Sequence, residues 1–293
     1  MDSTGARLSI GLPVYNGERY LSCALESILN QSYQDFELII SDNASNDTTE
    51  EISRTFAAKD PRIRYFRNTQ NLGAAQNFNQ VFKLSTGTYF KWAAHDDLLA
   101  NDFIQQCVQV LDQDPGIILA HTKAARIDEE GRQIGVYESR MNFNQDSAHE
   151  RFHDLLLIRH PCTAIFGVIR REVLAKSALI GNYVSSDRTL LAELGLRGRI
   201  YEVPKYLFFR REHSRASTAM RPYDRLQWFN PHNGSLLHLP TWRLGFEYLR
   251  AIQRAPLTWP ERLTGYRYVA FWFKRQRSDL MQDLYTAAQH LFS

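Results

Sequence analysis

The stretch that decides the fold is Leu8–Val14, which reads LSIGLPV. It has the length and apolar character of a buried strand, and it stops at the turn sequence Tyr15-Asn16-Gly17. Apolar residues then recur at helical spacing from residue 21 to 29, and residues 36–40 form a second short apolar run. Strand, helix and strand in this order predict a parallel unit with a helical crossover.

The same alternation continues along the chain. We predict a second helix after Asp47 or Thr48, either of which can cap it. Further strands are predicted at 62–66, 88–92, 116–120, 165–169 and 207–209, and further helices at 74–84, 103–111 and from 226 onward, with prolines at 231, 240, 256 and 260. The prediction is an α/β fold with a largely parallel sheet. It divides into a domain of residues 1–217 and a helical region of residues 218–293.

Composition excludes several classes of protein. The chain has 293 residues, of which 44% are hydrophobic and 23% are charged, so it is neither disordered nor collagen-like. Three widely spaced cysteines (Cys23, Cys107 and Cys162) argue against a disulfide framework and favour a reducing compartment. The start lacks the apolar core of a leader peptide, and no stretch has the length of a membrane span. We therefore expect a cytoplasmic protein.

Charge is distributed unevenly. From residue 197 onward there are 16 Lys and Arg against 7 Asp and Glu, so this part carries +9 and residues 1–196 carry −6. Residues 268–273 mix aromatic and aliphatic side chains directly before Lys274, Arg275 and Arg277. This mixture predicts contact with a lipid surface or a phosphate-bearing ligand rather than with nucleic acid. A buried helix with a solvated basic end is the alternative.

Polar residues follow several of the predicted strands. Ligands of parallel α/β sheets bind beyond the carboxyl ends of the strands, where Asp42-Asn43 and His95-Asp96-Asp97 stand here. Adjacent aspartates repel each other unless a cation or hydrogen bonds offset their charge, and Mg²⁺ or Mn²⁺ prefer carboxylate oxygens. A metal site is thus one hypothesis, and ordinary turns and helix caps are the other.

The ordered motifs resemble those of the inverting glycosyltransferases of family 2. They are SIGLPVYNG (9–17), SILNQSY (27–33), ELIISDNASNDTT (37–49), NLG (71–73) and AHDD (94–97), within a resemblance that covers roughly residues 8–215. It implies the GT-A fold, a Rossmann-like and mostly parallel sheet flanked by helices, here with a helical C-terminal extension. It also implies a nucleotide-diphospho-sugar donor, a saccharide or lipid-linked acceptor, and a role in cell-surface polysaccharide or glycolipid synthesis.

The resemblance assigns donor contacts to particular positions. Three residues at the end of the first strand would pack on the nucleotide base and ribose: Pro13, Tyr15 and Asn16. Asp42 would hydrogen-bond the base, and the loop with Asn71 and Gly73 would lie beside the nucleotide. The alternatives are an Asx turn at Asp42 and a plain helix-entry turn at Asn71.

The resemblance also implies a divalent cation, Mn²⁺ or Mg²⁺. The family's metal motif usually reads Asp-x-Asp, often with a further Asp, whereas this chain has Ala94 in place of the first aspartate. Because that aspartate often contacts the ribose, ribose recognition is left open, and Asp96 is assigned to both donor and metal. Asp97 and His213 complete the candidate metal ligands, and the sequence does not decide which aspartate is the main one. A surface histidine is the alternative for His213.

Asp187 matches the family's catalytic carboxylate. An inverting transfer needs a base that takes the proton of the acceptor hydroxyl. Asp187 stands just before the helical run at 189–194, so a helix cap is the alternative role.

Two rival functions remain. The missing first aspartate favours a nucleotide-sugar binder without turnover. His149-Glu150-Arg151-Phe152-His153 fits the H-E-x-x-H motif of zinc peptidases, with Glu172 as a third ligand, but this short motif is weak and leaves residues 9–97 unexplained. No G-x-G-x-x-G or G-x-x-x-x-G-K-[ST] sequence occurs, so readings as a dinucleotide oxidoreductase or a P-loop nucleotidase lack their phosphate-binding loop.

Overall fold

The computed structural model describes residues 5–138, 142–216, 219–229 and 239–292. In these ranges the strands are β1 (Leu8–Val14), β2 (Phe36–Asp42), β3 (Ile63–Arg67), β4 (Tyr89–Trp92), β5 (Leu98–Leu99), β6 (Ile117–Ile127), β7 (Gln133–Val136), β8 (Val168–Arg170) and β9 (Arg199–Arg211). The helices are α1 (Leu21–Leu29), α2 (Thr49–Lys59), α3 (Ala74–Lys83), α4 (Phe103–Gln113), α5 (Ala148–Leu157), α6 (Arg171–Leu174), α7 (Ser186–Arg197), α8 (Pro222–Phe229), α9 (Pro240–Arg254), α10 (Trp259–Arg275) and α11 (Arg277–Phe292).

The described strands form one sheet in the order β3-β2-β1-β4-β8-β6-β9-β5, with β7 paired to β6. The first half, β3-β2-β1-β4, is entirely parallel, which confirms the predicted α/β fold. All seven residues of β1 are buried, as expected for a central parallel strand that is covered on both faces. The carboxyl ends of β1, β2 and β4 consequently meet at one edge of the sheet.

The second half of the sheet is mixed. β8 runs antiparallel to both β4 and β6, β6 runs parallel to β9, and β5 runs antiparallel to β9. The strand predicted at 165–169 is only partly present, because residues 163–166 form a short 3-10 helix and β8 begins at Val168. The 3-10 helix buries Ile165, so the apolar run reflects burial rather than an extended backbone.

The C-terminal helices share a core with the rest of the chain. One large apolar cluster joins Leu190 and Leu191 of α7 to Tyr248 of α9 and to Val269 and Trp272 of α10. The residues on either side of the predicted boundary at 217 thus bury side chains together, and the division into two domains stays a prediction.

The helical region predicted after residue 226 is present as α8–α11. Pro240 and Pro260 stand in the first turns of α9 and α10, where the missing N–H of proline costs nothing. Pro231 lies outside the described residues. No helix in the described ranges combines the length and the hydropathy that a bilayer crossing needs.

Candidate active site

A cavity of about 1490 Å³ opens at the carboxyl ends of β1, β4 and β9. Its walls include most of the residues that the sequence assigned to the site: Pro13, Tyr15, Asn16, Asn71, Asp96, Asp97, Asp187 and His213. Segments that are far apart in sequence therefore meet at the position expected for a ligand site of an α/β sheet.

The end of β4 and the end of β9 bring an acidic and an imidazole group together. Nε2 of His213 lies 3.0 Å from Oδ2 of Asp96, although the two residues are 117 positions apart. Oδ1 of Asp97 accepts the backbone N–H of Arg211 at 2.9 Å. The guanidinium of Arg211 donates to the carbonyl oxygen of Asp96 at 2.9 Å, so β9 holds the acidic turn at both residues.

The two aspartates differ in their electrostatics. Burial and the neighbouring charge of Asp96 raise the pKa of Asp97 to about 8. Burial opposes ionisation of Asp96 as well, but the charge of His95 and the hydrogen bond and charge of His213 together lower its pKa. Asp96 is thus the carboxylate of the pair that faces the cavity as an anion, next to an imidazole.

Asp96 and His213 fit a divalent cation such as Mn²⁺ as two of its ligands. Carboxylate oxygens suit Mn²⁺ and Mg²⁺, and imidazole is a common metal ligand. No group of three or more His, Cys, Asp or Glu side chains within metal-binding reach occurs in the described ranges. Further ligands would have to come from water and from the diphosphate of a donor.

Tyr20 is a site residue that the sequence reading missed. The centroid of its ring lies 4.9 Å from that of the His213 ring. The guanidinium carbon of Arg211 lies over the Tyr20 ring, 4.7 Å from its centroid. Tyr20 precedes α1 and is buried, and its hydroxyl has no hydrogen-bond partner among the described residues. Packing against Tyr20 fixes the orientation of His213. The two residues are far apart in sequence, so no local sequence pattern predicts this contact.

Asp42 is held inside the protein. It is 0% exposed, and Oδ2 accepts hydrogen bonds from the hydroxyl of Tyr65 at 2.9 Å and from Nη1 of Arg67 at 2.8 Å. Oδ1 accepts the N–H of Ser45, three residues further on, at 2.8 Å, so Asp42 also holds the turn that follows β2. Asp42 is not among the residues that line the cavity. Its contact with a nucleotide base stays a prediction.

Asn43, the next residue, does line the cavity. Its Nδ2 donates to Oδ1 of Asn71 at 2.8 Å, and its Oδ1 accepts the N–H of Leu72 at 2.9 Å. Gly73 follows with φ of 83°, a left-handed conformation that favours glycine. Asn43 therefore fixes the loop with Asn71 and Gly73 against the end of β2, on the predicted donor side.

Asp187 lies in the first turn of α7 and also lines the cavity. The N-cap of α7 is Ser185, which has a left-handed φ of 66° and caps with no side-chain hydrogen bond. Asp187 Oδ1 accepts the N–H of Arg188, at 2.8 Å. Burial raises the pKa of Asp187, while the charges of Arg188 and Arg210 act in the opposite direction. A carboxylate with a raised pKa that faces a cavity suits a general base.

The H-E-x-x-H motif lies on α5, outside this cavity. His149 Nδ1 lies 3.0 Å from Oγ of Ser147, and His153 Nδ1 lies 2.9 Å from Oδ1 of Asp154. The described residues around α5 also hold no group of three or more metal-ligating side chains. The structure therefore gives no support to the zinc peptidase hypothesis.

The sheet order and the flanking helices are those of the GT-A fold. The chain aligns with Staphylococcus aureus TarS residues 1–349 in complex with UDP at a TM-score of 0.67 and 16% identity, covering 93% of this chain and 72% of that one. It aligns with the mannosyltransferase PcManGT of Pyrobaculum calidifontis, in complex with GDP-Man and Mn²⁺, at a TM-score of 0.53 and 18% identity, covering 98% and 87%. At these identities the likeness establishes the fold.

A sequence model described as glycosyl transferase family 2 matches residues 9–177, and the chain belongs to this family. An uncharacterized glycosyltransferase of Haemophilus influenzae is 37% identical over 127 residues, which are 43% of this chain and 50% of that protein. Chondroitin synthase of Escherichia coli is 32% identical over 127 residues, or 43% and 18% of the two chains. The match thus spans half or less of the length of these relatives.

Proposed function

We propose that this glycosyltransferase moves a sugar from a nucleotide-diphospho-sugar donor to an acceptor hydroxyl by a single inverting displacement. The observation that carries the proposal is the shared cavity, which holds the Asp96–His213 pair and the buried Asp187. A charge-stabilising group for the leaving diphosphate and a base for the acceptor are the two functions that such a reaction requires.

The donor side of the site is formed by the ends of β1 and β2. Pro13, Tyr15 and Asn16 would pack on the base and ribose, next to the loop with Asn71 and Gly73. Asp96 and His213, with Asp97 behind them, would hold Mn²⁺ or Mg²⁺, and the bound cation would offset the negative charge that grows on the leaving diphosphate. Structural neighbours with UDP, UDP-GlcNAc, or GDP-Man and Mn²⁺ support this assignment.

On the acceptor side, Asp187 would take the proton of the attacking hydroxyl. Its raised pKa makes its carboxylate a stronger base than an exposed aspartate. The charges of Arg188 and Arg210 favour the anionic form of this carboxylate and so oppose the effect of burial on its pKa.

The acceptor is proposed to be a saccharide or lipid-linked molecule, used in cell-surface polysaccharide or glycolipid synthesis at the cytoplasmic face of the membrane. Trp259, Leu263 and Phe271 of α10 are exposed apolar residues. Arg267 and Lys274 lie on the same exposed face of the helix. Apolar and basic residues on one face suit a peripheral contact with anionic lipid.

Ala94 favours a second candidate function. It stands where the family usually has the first aspartate of the metal motif, so a protein that binds a nucleotide sugar without turnover is the alternative. Release of the nucleoside diphosphate in the presence of an acceptor distinguishes the two.

The test is a calorimetric screen of uridine, thymidine and guanosine diphospho-sugars with and without Mn²⁺. We expect one nucleotide class to bind only with the cation, and Asp96→Asn to weaken this cation-dependent binding. Asp279→Asn, an exposed aspartate on α11, is the control that removes the same charge elsewhere. Binding of no sugar nucleotide under any condition would contradict the proposal.

A further inference from the structure

The cavity is rich in arginine. Most of its arginines already have partners: Arg19 pairs with Glu129, Arg126 pairs with Glu212, Arg188 donates to the carbonyl of His160, and Arg211 donates to the carbonyls of Asp96, Asp128 and Glu129. Arg159, Arg210 and Arg215 also line the cavity, and none of the three forms an ion pair with a described residue. Three cationic side chains therefore face the cavity without a carboxylate partner in the described part of the chain.

The donor does not account for all three charges. Each phosphate of a nucleotide-diphospho-sugar carries one negative charge and Asp96 carries a third, so a divalent cation at Asp96 and His213 would leave one negative charge. Arg215 follows His213 by two residues, and we assign it to this remaining charge on the donor side. Arg159 and Arg210 are then not needed to neutralise the donor. Arg210 acts on Asp187 through its charge, but neither arginine forms an ion pair with a described carboxylate, although arginine recognises phosphate and carboxylate better than any other side chain.

Arg159 and Arg210 are connected to the side of the cavity that holds Asp187. Arg159 directly precedes His160, whose carbonyl accepts Nη2 of Arg188, the residue after Asp187, at 2.9 Å. Arg210 leaves β9 next to Tyr137, with its guanidinium carbon 5.9 Å from the centroid of that ring, and Tyr137 also lines the cavity. The two arginines thus lie where the acceptor has to approach the base.

We infer that the acceptor carries an oxyanion, either a phosphate or a carboxylate, near the hydroxyl that attacks, and that Arg159 and Arg210 bind it. The inference rests on the proposed function, because it takes Asp187 as the base and the opposite wall as the donor side. It narrows the acceptor from any saccharide to an anionic one.

The experiment uses three monosaccharide probes: glucose 6-phosphate, glucuronate and neutral methyl glucoside. Each is titrated into the full chain by calorimetry, alone and in the presence of Mn²⁺ with UDP or GDP. We expect glucose 6-phosphate or glucuronate to bind, the better of the two identifying the anion, and methyl glucoside to bind at least about tenfold more weakly. Binding of the anionic probe is expected to persist with nucleotide present.

The variants Arg159→Gln and Arg210→Gln are each expected to weaken the anionic probe about tenfold or more and to change nucleotide affinity less than about twofold. Arg215→Gln is expected to do the reverse, and Arg267→Gln, on the exposed face of α10, controls for loss of a charge. Circular dichroism checks that each variant is folded. Displacement of the anionic probe by nucleotide, or equal binding of the anionic and neutral probes, overturns the inference. Failure of all nucleotides to bind contradicts the proposed function instead.

Discussion

At the scale of single residues, Asp187 allows the sharpest test of mechanism. We expect Asp187→Asn to lower kcat by about a hundred- to ten-thousandfold, because the amide cannot accept the proton of the acceptor. Donor binding should persist, since Asp187 lies apart from the donor wall. Initial rates of nucleoside diphosphate release and calorimetry with the donor measure the two effects. A variant that retains full turnover would show that another group serves as the base.

The same substitution has a predicted effect on stability. A carboxyl group whose pKa is raised by folding binds more protons in the native than in the unfolded state, so the free energy of unfolding falls as pH rises through the interval between the two pKa values. At neutral pH, Asp187→Asn should therefore be as stable as the wild type or more stable. A helix cap would predict no change in stability on Asp187→Asn, because asparagine caps helices as well as aspartate does, and a loss of about 1 kcal/mol on Asp187→Ala. Urea denaturation of both variants at pH 7 distinguishes the two roles.

Asp96 and Asp97 are predicted to differ in their contribution to cation binding. Asp96 pairs with His213 at the cavity, whereas Asp97 is committed to the N–H of Arg211. Asp96→Asn should weaken Mn²⁺-dependent nucleotide binding about tenfold or more, since it removes an anionic ligand. Asp97→Asn keeps an acceptor for Arg211 and should have the smaller effect. Calorimetry at several Mn²⁺ concentrations measures both, and a larger loss in Asp97→Asn would reverse the assignment.

Sequence reasoning identified the residues whose chemistry is visible in a short motif. Asp96 and Asp97 stand together after an apolar strand, which already predicted a metal site, whereas Asp187 was assigned through its match to the family's catalytic carboxylate. Asn43 and Tyr20 could not be recognised in this way. Asn43 matters through its hydrogen bonds to a loop 28 residues away, and Tyr20 through the ring of His213, which lies 193 positions further on.

At the scale of secondary structure elements, α7 is attached to the C-terminal region through a buried charge. Glu193 is 1% exposed and binds Arg197 on α7 at 2.9 Å and Arg254 on α9 at 2.8 Å. We expect Glu193→Gln to lower the free energy of unfolding by about 3 kcal/mol, because two guanidinium groups lose their buried counter-charge. Chemical denaturation measures the loss.

The control for this prediction is Glu130→Gln. Glu130 pairs with Arg132 at 2.9 Å, but both side chains are largely exposed, so the change should cost less than about 1 kcal/mol. Equal losses in the two variants would mean that the α7–α9 ion pair stabilises the fold no more than a surface pair does.

The elements themselves were predictable where one physical signal dominated. β1, β2 and α3 lie within two residues of their expected bounds, since each combines burial with a clear period and a turn at its end. The segment at 163–169 was not, because Ile165 and Val168 are both buried and apolar whether the backbone is helical or extended. Cys162 adopts a left-handed conformation there, with a φ of 58°. The neighbouring sequence contains no pattern that predicts a left-handed conformation at a cysteine.

At the scale of the whole molecule, the C-terminal helices have two faces with different roles. The inner face of α9 and α10 supplies Tyr248, Val269 and Trp272 to the core that also holds α7. Removal of α10 would expose this core, so a truncation cannot test the outer face separately. The outer face has to be tested by substitutions at exposed positions that leave the core intact.

The outer face of α10 is predicted to bind anionic membranes. Trp259 is 72% exposed, Leu263 55% and Phe271 54%, and their spacing places them with Arg267 and Lys274 on one side of the helix. We expect the full chain to float with vesicles of phosphatidylglycerol and not with vesicles of phosphatidylcholine, and flotation to decrease with salt because lipid charge attracts the basic residues. Leu263→Glu with Phe271→Glu should abolish flotation without loss of nucleotide binding.

The matched control is Ile134→Glu, which places a charge on an apolar residue of β7 that is 49% exposed and distant in sequence from this face. Flotation that is unchanged in the α10 variant would assign the basic, aromatic surface to another partner.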